Sequence, residues 1–346
     1  MRSQLNYPFP EASLEGVPLE IAKGVHWCRH GLPFALDHIN TWLVEGQSGS
    51  VIIDTGIHDE TTQNNWRTIL ATKKLSSNIE KIVVTHFHPD HIGNASWLSG
   101  EMRASVWMTH SEFITAHALI ARVKNQTTES VGELFRQHGL PETQIDSVSA
   151  KGDHYEKLVP SIPESFMRIR DNDELDLGGT TWTAMIGTGH SPEHLSLFNP
   201  QQNLLISGDM LLPKITTNVA VWPHSPDGNP LEEFLLSIRR YLSLPESTLV
   251  LPSHGLPFVG IKSRVKELLA HHEDRLGKVL SSCKEPKTAF DILPTLFDRK
   301  LDAYQMFFAM GEAIAHLNYL MWEGKLRKHT VDTKRGVVNS FSTNRN

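Results

Sequence analysis

The run Thr85-His86-Phe87-His88-Pro89-Asp90-His91 decides how this chain is read. It follows Ile82-Val83-Val84, a short apolar run that stops abruptly at polar residues, as a buried strand does where it meets a loop. Three imidazoles and one carboxylate then fall within six residues. At a strand end, alternate residues face one point, and the following turn carries Asp90 and His91 to a second. Imidazole nitrogens with a carboxylate oxygen suit zinc or a similar divalent ion. Only two cysteines occur, Cys28 and Cys283, far apart and without a C-x-x-C. A thiolate-rich site is therefore excluded, and any metal rests on histidines and carboxylates.

Three later segments carry ligand-type side chains in loops. They are Gly187-Thr188-Gly189-His190-Ser191-Pro192-Glu193-His194, Ser207-Gly208-Asp209-Met210 and Pro252-Ser253-His254-Gly255. Each follows a strand-like run, at 181–186, 203–207 and 248–251, and its small residues are expected to let the backbone approach a metal closely. Further strand-like runs lie at 106–108 and 167–170. Residues 39–45 and 51–54 read as a hairpin turning on Gly46, Ser48, Gly49 and Ser50. Helical patterns cover 59–75 and 231–243. The stretch 111–148, with Phe113, Ile114, Ala118 and Leu119 as its apolar stripe, reads as helices suited to a lid.

Taken in this order, the motifs resemble the metallo-β-lactamase superfamily over residues 20–260, with Val51-Ile52-Ile53-Asp54-Thr55-Gly56 similar to the strand-and-aspartate motif ahead of its first metal loop. The resemblance implies an α/β fold, a four-layered αββα sandwich with its site at one edge of the two sheets. It also implies two divalent metal ions, zinc in the first instance, with iron or manganese as alternatives. His86, His88 and His190 would hold the first, Asp90, His91 and His254 the second, and Asp209 would bridge them. Asp54 would orient the loop from behind the ligands, and His194 is expected behind them or in the pocket rather than on a metal. Flavodiiron proteins carry Glu at the position of His88, which disfavours an oxygen-reducing site. Asp209 resembles the bridging residue of glyoxalase II, acyl-homoserine lactonases and RNA-processing nucleases. Thr188–Leu197 is especially similar to the lactonase and thioesterase branch.

That resemblance implies a hydrolase in which a hydroxide shared by two metals about 3.5 Å apart attacks a carbonyl. Asp90 would orient it, and the thioester, ester or lactone would be a small acyl substrate. No G-x-S-x-G motif points to a covalent acyl-enzyme. Trp222, His224 and His38, with Asn40, are candidates for the substrate pocket, while His117, His138 and His154 read as surface residues.

After Gly260 the pattern changes. Residues 262–282 are amphipathic, with Val265, Leu268, Leu269, Leu276, Val279 and Leu280 on one side, and helical stretches follow at 287–297 and 302–322. Lys325-Leu326-Arg327, a polar stretch to Gly336 and Val337-Val338 then suggest a hairpin. Two domains are expected, a catalytic one over 1–260 and a winged-helix-like one over 261–346. His271-His272, Arg275-Leu276, Ala315-His316-Leu317 and Glu323-Gly324-Lys325-Leu326 resemble the extension of the β-lactamase-like-2 group, of which at least one member acts on RNA. From Ile261 onward there are 15 Lys+Arg against 10 Asp+Glu, and before it 18 against 29. The acidic catalytic part would repel polyanions. A nuclease or phosphodiesterase acting on RNA or single-stranded nucleic acid stays open on the basic tail. So does a DNA-binding regulatory module with a vestigial metal site, and, last, a β-lactamase proper.

The 346 residues, 39% hydrophobic and 21% charged, have an ordinary globular composition with a net charge of −6. The N-terminus has no apolar stretch of signal type, and no run is long enough to span a membrane. With two dispersed cysteines, a cytoplasmic location is expected. A homodimer is compatible with this reading.

Overall fold

The computed structural model describes residues 5–33, 36–47, 49–72, 78–124, 127–152, 155–333 and 336–343. Ser48 of the expected turn and His154 lie outside them. The chain divides into two compact units. One comprises Met1–Ile120, Tyr155–Thr217 and Ser237–Val265, the other Ala121–His154, Asn218–Leu236 and Lys266–Asn346. The second unit therefore draws two segments from inside the range 1–260.

The first unit is built on two sheets. The larger has seven strands in sequential order: β1 (Leu19–Ala22), β2 (Val25–Gly31), β3 (His38–Val44), β4 (Ser50–Ile53), β5 (Ile79–Val83), β6 (Ser105–Met108) and β7 (Met167–Arg168). Strands β1 to β4 run antiparallel, while β4, β5, β6 and β7 are parallel neighbours. The smaller sheet holds β8 (Glu174–Leu177), β9 (Thr180–Gly187), β10 (His194–Asn199), β11 (Leu204–Gly208), β12 (Leu249–Pro252) and β13 (Phe258–Val259), again in sequential order, with β11 parallel to β12.

Alternation along the strands builds two layers of core. Trp42, Val44, Val51, Ile53 and Val83 of the larger sheet pack with Trp182, Ala184, Leu195, Leu197, Leu204 and Ile206 of the smaller. Their neighbours Leu43, Ile52, Ile82 and Val84 point the other way. They pack with Trp66 and Ile69 of the helix Glu60–Ala71, Ala95 and Leu98 of Ala95–Met102, and Phe113 and Ala116 of His110–Ile120. A strand buried on both faces reads as continuous apolar sequence, which is why 51–53 and 82–84 show no polar positions. The helix His110–Ile120, expected as part of a lid, is instead a layer of this core.

Parallel strands all end on the same side of their sheet, and sites on such sheets form beyond those ends. Here β4 ends just before Asp54, β5 leads to His86, β11 ends just before Asp209, and β12 leads to His254. The two sheets are stitched at this edge. Leu195 N–H donates to Thr85 C=O (2.9 Å) and Asn40 N–H to Ser253 C=O (2.7 Å).

In the second unit the helices Thr128–Gln137, Glu142–Ser149, Ala289–Leu296 and Ala303–Trp322 accompany most of the long helix Ile261–Ser282, and the chain closes in the antiparallel hairpin Leu326–Thr333 and Gly336–Thr343. The order, helices and then a hairpin, is the one expected from the sequence. His117 is exposed, as expected, but His138 is buried. Its ring stacks on Phe341 (centroids 6.3 Å apart) and its Nδ1 hydrogen-bonds Leu134 C=O. No described helix is long and apolar enough to cross a membrane.

Candidate metal centre

Seven side chains converge beyond the strand ends. One ligand atom from each of His86, His88, His190 and Asp209 lies within 4.8 Å of the others, and the same holds for Asp90, His91 and His254. In the first group, His86 Nε2 is 2.8 Å from His88 Nδ1 and 3.3 Å from His190 Nε2. Asp209 divides its carboxylate between the groups. Its Oδ2 is 3.4 Å from His190 Nε2 and 3.9 Å from His86 Nε2, whereas its Oδ1 is 3.6 Å from His91 Nε2 and 3.4 Å from His254 Nε2. Asp90 Oδ2 completes the second group at 3.4 Å from His254 and 3.7 Å from His91.

These separations suit a metal. Nitrogen and oxygen ligands placed tetrahedrally at zinc distances stand about 3.3 Å from one another. His91 Nε2 and Asp209 Oδ1 are buried with no hydrogen-bond partner, an arrangement that costs stability unless something else binds them. Burial pushes the His91 imidazole down, yet Asp54, Asp90 and Asp209 together raise it well above its ordinary value. Burial would raise Asp209, but His254 and His91 hold it well below the usual carboxylate range. Burial and the neighbouring imidazoles His91 and His190 keep His86 and His88 well below theirs, so both stay neutral and able to ligate. The donor set therefore fits two divalent cations.

The residues behind this set decide which nitrogen each histidine presents. Asp54 takes the left-handed conformation (φ 59°), which a short polar side chain tolerates, and turns its carboxylate back under the loop. Oδ1 accepts from Thr85 N–H (2.8 Å), and Oδ2 accepts from Thr85 Oγ1–H (2.9 Å) and His91 Nδ1–H (2.7 Å). Having donated to Asp54, the Thr85 hydroxyl is left to accept from His86 Nδ1–H (3.0 Å). His254 Nδ1–H donates to His38 C=O (2.7 Å). In each of these three rings the outer nitrogen is held by a hydrogen bond, which leaves the inner nitrogen as the one that faces the ligand group. Asp54 itself is in neither ligand group.

His194 Nε2 accepts from Asp209 N–H (3.0 Å), fixing the backbone of the shared carboxylate. Gly208, with φ +53°, makes room for it: a Cβ there would stand 2.3 Å from His194 Cε1. Two small residues beside the ligands make room for neighbouring side chains, His194 at Gly208 and Pro213 at Gly255.

His38 holds the His254 loop. Besides its carbonyl contact, its Nε2 accepts from Gly255 N–H (2.8 Å), and its Nδ1 pairs with Asp37. Asn40, expected at the cleft, is fully buried and donates to Pro252 C=O and Gly255 C=O. Trp222 and His224 belong to the second unit, where Trp222 packs on Phe307 (centroids 5.2 Å apart) and His224 is exposed.

One residue escaped the sequence reading altogether. Glu112, on the helix His110–Ile120, is fully buried. It accepts from Phe87 N–H (3.0 Å), Ser191 Oγ–H (2.7 Å) and Glu193 N–H (2.7 Å). Burial raises its pKa, and the three donors oppose the rise.

Residues 35–254 match the metallo-β-lactamase superfamily. The chain belongs to that superfamily. Residues 276–338 match a metallo-β-lactamase-like C-terminal domain. A crystal structure of a β-lactamase domain protein from Burkholderia ambifaria superposes with a TM-score of 0.90 at 38% identity, covering 99% of this chain and 98% of that one. A probable metallo-hydrolase of Bacillus subtilis, YqjP, is 27% identical over 311 residues, 84% of this chain and 93% of its own length. A more distant relative, the acyl-coenzyme A thioesterase MBLAC2 of Gallus gallus, is 23% identical over 243 residues, 68% of this chain and 78% of its own. The fold is the αββα sandwich that the motifs implied, and the chain is a metallo-hydrolase of this superfamily.

Proposed function

We propose that this superfamily member is a dinuclear hydrolase that opens the thioester, ester or lactone carbonyl of a small acyl substrate. The observation that carries the reading is the divided carboxylate of Asp209, one oxygen toward each ligand group. His86, His88 and His190 would hold one divalent ion, Asp90, His91 and His254 the other, with Asp209 shared. Zinc suits this donor set, and iron or manganese are the alternatives. When bound, such ions lower the pKa of water to about 7 and polarise a carbonyl oxygen.

The chain supplies the rest. His88 and Asp90 are the partly exposed members of their groups, so substrate approaches from their side. Asp90 orients the attacking water and accepts its proton as the carbonyl carbon is attacked. The acyl–sulfur or acyl–oxygen bond then breaks, and the thiolate or alkoxide departs. The acyl class is supported by the likeness to an acyl-CoA thioesterase. Both cysteines are unpaired and buried, which supports a reducing compartment such as the cytoplasm.

The test is thiol release from acyl-CoA and acyl-glutathione thioesters by metal-loaded protein, with Asp90→Ala as control. Turnover is expected, and its loss in the control by about 10²-fold or more. Inertness toward thioesters, esters and lactones, alongside cleavage of single-stranded RNA, would overturn the acyl reading.

A further inference from the structure

Phe87 sits between two candidate ligands, and both of its backbone groups are held by side chains from distant helices. Its N–H donates to Glu112 Oε2 (3.0 Å), and its C=O accepts from the Tyr155 hydroxyl (2.7 Å). The peptide groups on either side of Phe87 set where His86 and His88 point. Glu112 Oε1 meanwhile accepts from Ser191 Oγ–H and Glu193 N–H, just after His190. One buried carboxylate therefore ties together the backbone that carries all three histidines of the first group. It touches nothing in the second group, which is braced by Asp54 at His91 and by His38 at His254.

We propose that Glu112, assisted by Tyr155, is a positioning residue that sets the metal affinity of the His86–His88–His190 group alone, leaving the Asp90–His91–His254 group to its own supports. The inference rests on the two-group metal reading above. Its consequence is that the affinities of the two sites are tuned separately, so the protein can be loaded in a fixed order.

Glu112→Gln preserves shape. Its amide oxygen can still face Ser191 and Glu193, but its NH2 then meets the Phe87 N–H, donor against donor, and the tie to the His86–His88 loop is lost. Tyr155→Phe releases the other side of Phe87 without disturbing Glu112.

The experiment measures Co(II) binding by absorption spectroscopy with chelator competition in two backgrounds. His254→Ala isolates the first group and His88→Ala the second. Glu112→Gln is expected to weaken Co(II) binding about 10- to 100-fold in the His254→Ala background, the range typical of residues that orient ligands. In the His88→Ala background the change should stay within about twofold. Tyr155→Phe should reproduce the selectivity at smaller size, which guards against a fold lost through Glu112. Equal weakening in both backgrounds, or none in either, overturns the inference while leaving the two-group reading intact. Backgrounds that bind no Co(II) at all would overturn that reading, and the inference with it.

Discussion

Asp54 Oδ2 accepts from His91 Nδ1–H at 2.7 Å, so Nε2 is the nitrogen that His91 turns to the second ligand group. Asp54→Asn tests how much that proton matters. The asparagine oxygen can replace Oδ1 toward Thr85 N–H, but its NH2 then faces the Thr85 hydroxyl and His91 Nδ1. His91 must shift its proton to Nε2, the ligating position. Metal affinity is expected to fall about 10- to 100-fold with little change in fold. Long-range nitrogen NMR of the imidazoles would read the tautomer directly. An unchanged His91 tautomer together with unchanged affinity would show that Asp54 is only a structural brace.

Asp209 should behave unlike any other ligand. Its two oxygens serve different groups, so Asp209→Ala is expected to weaken both sites together, whereas Asp90→Ala weakens only the second. Metal content after dialysis against a weak chelator measures this. The expectation is loss of both ions for Asp209→Ala and retention of about one for Asp90→Ala. Retention of one ion by both variants would show that Asp209 does not bridge.

The contrast between what was readable and what was not follows from range. His86, His88, Asp90 and His91 were legible because they are local: a strand end converges alternate residues whatever lies elsewhere. The order of His190, Asp209 and His254 was legible because each follows an apolar strand. β2 was not, because His26, Arg29 and His30 interrupt an otherwise apolar run, and polar residues inside a strand erase the period-2 pattern. Glu112 reads as a charged residue on a helix. Its role exists only through Phe87, Ser191 and Glu193, none of them near it in sequence. His138 reads as a surface residue for the same reason, since Phe341, which covers it, comes from the last strand. His38 likewise acquires its contacts from a loop more than 200 residues away.

Gly208→Ala tests the packing behind Asp209. The residue has φ +53°, and an added Cβ would stand 2.3 Å from His194 Cε1, whose ring is wholly buried and has nowhere to go. Left-handed strain and a forced shift of the imidazole together are expected to cost roughly 2–4 kcal/mol, measured by denaturant unfolding. Displaced, His194 would also release the Asp209 N–H and weaken metal retention. Pairing the change with His194→Ala should recover much of the stability, because the clash is removed, but not the retention. If the double variant is no more stable than Gly208→Ala, the steric account fails.

Stability should fall on the acid side of neutrality, through histidines that are not ligands. Burial lowers His30, His272 and His316 to about 3 and His138 to about 4, so all four are neutral in the folded protein. His272 is the extreme case, with both ring nitrogens buried and unpartnered among Phe234, His271 and His316. In the unfolded chain these rings titrate near 6.5. Between about pH 6.5 and 4 the unfolded state therefore binds more protons than the folded state. Stability is highest above 6.5 and declines as the pH drops, by up to about 1.4 kcal/mol per pH unit for each such group. Guanidinium unfolding midpoints from pH 7.5 to 4.5 would show the slope. Burial lowers His86 and His88 in the same sense, while nearby carboxylates raise His91 and His254 and oppose it, so the decisive comparison is with His272→Phe, which removes one titrating ring and keeps an aromatic in its place. Its slope should be shallower by the share of one group, so its stability relative to the parent protein rises as the pH falls. Parallel curves would mean that His272 already carries its proton in the folded protein.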